Sequence, residues 1–96
     1  MKVYAVSVSW NIPTMYGKFS GEKFVGVYSS KAIAKRVAKK AMIQTVDQEA
    51  CYTIRPSHVT TYENPEDGSI EHYYTSGEVT VCANAWAECI DSKMYN

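Results

Sequence analysis

Two histidines and three cysteines are the residues of this 96-residue chain with the readiest nucleophilic or metal-binding chemistry. His72 and Cys82 fall on neighbouring predicted strands, where a histidine base and a cysteine nucleophile could meet. Strand histidines and half-buried thiols more commonly serve structure, because both fill space and satisfy neighbours without reacting. A zinc site from Cys51, Cys82, Cys89 and either His58 or His72 lacks the close Cys-x-x-Cys pair that structural zinc sites use. No glycine-rich loop is present to cradle a phosphate. The carboxylates crowd a turn instead of flanking an apolar pocket, so none has the setting that raises an acid's pKa for proton transfer. The sequence therefore predicts a protein that is not an enzyme and uses no metal or cofactor.

Charge is more informative. The formal net charge is zero, yet the signs are segregated along the chain. Residues 1–46 carry Lys2, Lys18, Lys23, Lys31, Lys35, Arg36, Lys39 and Lys40 against Glu22 alone, a surplus of seven positive charges. Residues 47–96 carry Asp47, Glu49, Glu63, Glu66, Asp67, Glu71, Glu78, Glu88 and Asp91 against Arg55 and Lys93, a surplus of seven negative ones. Such a split marks an interaction surface or a chain whose halves pair with each other.

Two candidate binding surfaces follow. Glu63, Glu66, Asp67 and Glu71 gather around one predicted hairpin turn, with Tyr62, Tyr73 and Tyr74 beside them. Carboxylates next to aromatic rings suit a basic surface on another protein, the charge steering the encounter and the rings supplying affinity. A solvated turn explains the same residues equally well. The second surface is Lys31, Lys35, Arg36, Lys39 and Lys40, which could track a phosphate backbone. A solvated outer helix face is the simpler account of those five, and no aromatic-glycine RNA-binding strand accompanies them.

The elements that must position these residues read as ββαβββ. Lys2–Trp10 alternates as a strand, with Tyr4, Val6, Val8 and Trp10 on one side and Val3, Ala5, Ser7 and Ser9 on the other. Asn11–Glu22 holds Pro13, Gly17 and Gly21 and reads as a long loop; Lys23–Tyr28 is a second, short strand. Ser29 or Ser30 caps a helix from Lys31 to about Val46. Its predicted buried stripe is Ile33, Ala34, Val37, Ala38, Ala41 and Met42. A third strand region, Tyr52–Tyr62, is broken by Pro56, which favours an edge. Asn64–Gly68 is a turn, Ser69–Thr75 a fourth strand and Ser76-Gly77 a second turn. Glu78–Ala85 is the fifth strand, with Val79, Val81, Ala83 and Ala85 inward and a continuation through Trp86 towards Ile90; the tail to Asn96 frays. The fold class is α+β, one amphipathic helix on one face of a largely antiparallel sheet in a single domain.

The run Lys2-Val3-Tyr4 to Val8, then Phe24-Val25-Gly26-Val27-Tyr28-Ser29-Ser30-Lys31-Ala32 and a helix, resembles small uncharacterised phage and bacterial accessory proteins. The resemblance covers the first half of the chain. It implies a phage- or mobile-element-encoded protein that binds and modulates or inhibits host machinery, and it carries over no active site. An odd number of unevenly spaced cysteines fits free thiols in a reducing cytoplasm. Neither a signal peptide nor the ~20 apolar residues of a membrane span is expected. One helix cannot cover five strands, so the bare face awaits solvent, a host protein or a second copy, and a homodimer is the expected assembly.

Overall fold

The computed structural model describes residues 2–14, 16–76 and 81–91. Among them are five strands and one long helix. Strand β1 is Lys2–Thr14, β2 is Gly17–Tyr28, β3 is Thr60–Glu63, β4 is Ile70–Ser76 and β5 is Val81–Asp91. The helix, α1, is Lys31–Ala50. The strands form one sheet in the order β2-β1-β5-β4-β3, and every neighbouring pair is antiparallel. The last three strands are the expected meander, and the α+β class holds.

Side-chain alternation decides which face α1 covers. Val6 and Val8 of β1 pair with Ala87 and Ala85 of β5, which pair in turn with Ile70 and His72 of β4. All six are buried, together with Ile12, Ala83 and Ile54 and with Ala34, Ala38, Met42 and Val46 of α1. The helix lies mainly over β1 and β5. Alanines on both surfaces, Ala34 and Ala38 above with Ala83, Ala85 and Ala87 below, let it settle close to the sheet. Its N-cap is Ser30, whose hydroxyl accepts from the Ile33 N–H at 3.3 Å.

Several boundaries differ from those expected. Residues 11–22 are not a loop. They continue β1 and open β2 as one hairpin, paired from Tyr4–Tyr28 to Thr14–Gly17 with an irregularity between Val6 and Ser7. Pro13 is tolerated because it lies past Asn11–Cys82, the last described β1–β5 pair, where β1 needs no second set of donors. Gly21 lets Trp10 lie across the β2 backbone: a Cβ there would stand 2.5 Å from the indole. Gly17 closes the turn at φ +127°.

The helix runs four residues beyond Val46, since Asp47, Gln48, Glu49 and Ala50 offer no breaker. It ends at Cys51, which adopts φ 51° and donates its N–H to the Asp47 carbonyl at 3.1 Å. Its buried stripe is Ala34, Ala38, Met42, Thr45 and Val46. Ile33, expected inward, is 43% exposed, because the stripe is rotated away from it. Most of 52–62 is not strand either. Pro56–His58 is a 3₁₀ turn and only Thr60–Glu63 pairs, at the sheet edge. The strand β5 does continue through Trp86 to Asp91. The expected turn at Ser76-Gly77 extends into residues outside those described, as do Glu78 and Val79, the side chain of Val81, and the tail from 92.

Candidate partner-binding face

On β3 and β4, Tyr62 pairs with Glu71 and Tyr73 with Thr60, and all four point away from α1. On β5, Trp86 lies beside Glu71 and Asn84 beside Tyr73. On the other flank Trp86 pairs with Ser7 of β1, which pairs with Phe24 of β2. One row thus crosses the whole sheet as Phe24–Ser7–Trp86–Glu71–Tyr62. A second row runs Glu22–Ser9–Asn84–Tyr73–Thr60, and Val27, Ala5 and Glu88 form a third. Phe24 and Tyr62 are 58% and 57% exposed, so no element of the described chain covers this face.

The face is aromatic and acidic together. Its described charged side chains are Glu22, Glu71 and Glu88, with no cation among them. Tyr62, Asn64, Ser69, Glu71, Trp86 and Glu88 line a depression of about 270 Å³ at its β3 end. The Asn84 amide donates to the Glu71 carboxylate at 3.4 Å, a diagonal contact between the first row and the second.

The predicted acidic-aromatic cluster is therefore only partly assembled. Tyr62, Glu71 and Tyr73 share the open face. Glu63 and Tyr74 are on the helix side of the sheet. Glu63 forms an ion pair with Lys31, and that charged hydrogen bond lowers the Glu63 pKa and raises that of Lys31. The Tyr74 hydroxyl bonds that of Tyr52 at 2.8 Å, with ring centroids 5.9 Å apart. Asp67 accepts the Ser69 N–H at 2.8 Å, Asn64 accepts that of Glu66 at 2.9 Å, and Gly68 takes φ +77°. Those contacts build the turn and leave Glu66 exposed at its tip. Phe24, Trp86 and Glu88 were missing from the cluster. Strand parity carried to β5 and β2 would have found them.

The basic cluster also divides. Lys31 is drawn to Glu63, and Lys35 is exposed. Arg36, Lys39 and Lys40 converge with Ile43, Gln44 and Pro56 around a groove of about 510 Å³ beside the 3₁₀ turn. All five belong to the layer opposite the acidic sheet face, so the two signs separate by layer as well as along the chain.

His72 and Cys82 are not partners. His72 pairs with Ala85 and points into the core, whereas Cys82 pairs with Thr75 and Asn11 on the opposite side. His72 is 1% exposed and held at both ring nitrogens. Nε2 bonds the Lys35 carbonyl at 2.9 Å and Nδ1 the Thr61 hydroxyl at 2.7 Å. A carbonyl can only accept, so Nε2 carries the proton and Nδ1 accepts from Thr61. Burial, followed by the charges of Lys39 and Lys35, pulls its pKa down despite the Lys35 carbonyl bond. This neutral ring joins β3, β4 and α1. The three cysteines are free. Among the described residues no three His, Cys, Asp or Glu side chains converge as metal ligands, and no helix is long and apolar enough to cross a membrane.

No protein-family model matches the chain, and neither curated proteins nor solved structures give a significant match.

Proposed function

We propose that this protein is a non-catalytic binding module whose contact surface is the open sheet face. The observation that carries this reading is the row Phe24–Ser7–Trp86–Glu71–Tyr62, with Tyr73 alongside, on the uncovered face of a sheet whose other face packs against α1 over β1 and β5. Aromatic residues interleaved with a few polar groups are the composition of energetic centres in protein interfaces. The partner is a protein. A cytoplasmic host protein, bound and modulated by a phage- or mobile-element-encoded accessory factor, agrees with the resemblance of the first half of the chain and with the three free thiols.

The test is affinity capture from a bacterial lysate at low salt. Wild type is compared with Phe24→Lys, which puts a cation on the face, and with Lys39→Glu, which reverses a charge on the helix. A stoichiometric protein retained by wild type and Lys39→Glu but lost with Phe24→Lys is the expected result. No stoichiometric partner, or loss with Lys39→Glu alone, overturns it.

The groove at Arg36, Lys39 and Lys40 supports a second reading, binding of nucleic acid. A gel shift with DNA or RNA that weakens steeply with salt and is lost in Lys39→Glu would favour it. A second copy on the open face, the homodimer, is opposed by charge. Two-fold pairing would gather Glu22, Glu71 and Glu88 from both copies with no described cation between them.

A further inference from the structure

We infer that the depression between Tyr62 and Trp86 is a seat for an arginine side chain of the partner, so that the protein recognises a basic segment. This inference rests on the open face being the contact surface and names what that surface takes. Tyr62, Glu71 and Trp86 are successive cross-strand neighbours on β3, β4 and β5. Adjacent strands lie about 4.8 Å apart, so the two aromatic positions stand about 10 Å apart with the carboxylate midway. That spacing admits one flat cation between two rings, each within the ~6 Å reach of a cation–π contact.

Glu71 and Glu88 both line the seat, and the Glu71 carboxylate also accepts from the Asn84 amide at its rim. A planar guanidinium stacks on rings and pairs a carboxylate through two N–H groups, which an ammonium cannot do. Chemistry of the opposite sign is excluded. An anion would meet Glu71 and Glu88 with no described cation on the face to offset them.

The face has room for a short segment. From Phe24 to Tyr62 it spans four strand spacings, and from Val3 to Asn11 eight residues, or about 500 Å² in projection. A short basic stretch fits that area, and Phe24, Val27 and Tyr73 give its apolar flanks somewhere to lie.

The test is an NMR titration of the full chain, at fixed ionic strength, with three blocked tripeptides: Gly-Arg-Gly, Gly-Lys-Gly and the neutral Gly-citrulline-Gly. The arginine peptide is expected to shift the Trp86 indole and Glu71 amide signals saturably. A dissociation constant of about 1–10 mM is expected for two exposed cation–π contacts together with one charged hydrogen bond. Lysine should bind more weakly and citrulline should leave the signals unmoved. Glu71→Gln, nearly isosteric and exposed, is expected to keep the fold and weaken arginine binding at least fivefold. Equal shifts with citrulline, or unchanged affinity in Glu71→Gln, overturn the seat. Trp86 shifts on dilution without peptide overturn it too, since they show a second copy in place. If the seat fails but Phe24→Lys still abolishes protein capture, the binding face stands without it. If arginine binds and capture ignores Phe24→Lys, the seat stands and the wider reading fails.

Discussion

His72 is a polar ring in an apolar layer, and its two hydrogen bonds explain how it is tolerated there. Its folded pKa lies below its ordinary value of about 6.5, so as pH falls the unfolded chain takes up a proton first. Stability is therefore level above about pH 6.5 on this account and declines as pH drops towards the lowered value. Urea midpoints at pH 7.5 and 5.0 are expected to differ, with a smaller difference in His72→Gln. His72→Ala should cost about 2–4 kcal/mol at pH 7.5, because it opens a cavity and removes the ring's bonds to the Lys35 carbonyl and the Thr61 hydroxyl. Cys51 offers the opposite case. It occupies a left-handed backbone position that costs a β-carbon about 1–2 kcal/mol, so Cys51→Gly should raise stability by about 1 kcal/mol in the same urea assay. Neither property was legible in sequence. The alternation around His72 indicated its strand, but its inward direction depended on register with β5, and the left-handed turn depended on where α1 stops.

At the scale of elements, periodicity was the reliable signal. Val6 and Val8 opposite Ala5 and Ser7 marked both faces of β1, and the alanine-rich stripe marked α1. Where Pro13, Gly17 and Gly21 interrupt the pattern, they suggested a loop. Instead they serve a long hairpin: Pro13 beyond the last described β5 pair, Gly17 in the turn and Gly21 beneath Trp10. Local breakers lost to cross-strand pairing, which sequence reading along one strand cannot see. Gly21→Ala should destabilise by about 1–3 kcal/mol, as overpacking does, and change tryptophan fluorescence by displacing the Trp10 ring. Circular dichroism and urea unfolding would check this. Ala85→Leu, beneath the close-lying helix, should cost a similar amount, whereas Tyr73→Ser on the open face should cost little.

The whole molecule is elongated. Its radius of gyration is 13.9 Å, against about 12.5 Å for a compact chain of this length, and its extents are 46 × 24 × 18 Å. Its layers carry opposite charge, basic on α1 and acidic on the open sheet. The sequence showed that asymmetry as two halves but could not show that one sheet face would hold Glu22, Glu71 and Glu88 from three strands. Light scattering after size exclusion at tens of micromolar should give a monomer mass at low salt, because face-to-face pairing is repulsive there. In the proposed function the open sheet face, not the helix, meets the partner. Site-specific photo-crosslinking in bacterial cells tests it most directly, with a benzophenone side chain replacing Tyr73 in one variant and Arg36 in another. Position 73 is expected to yield a discrete protein adduct and position 36 none; an adduct from 36 with none from 73 would contradict the account.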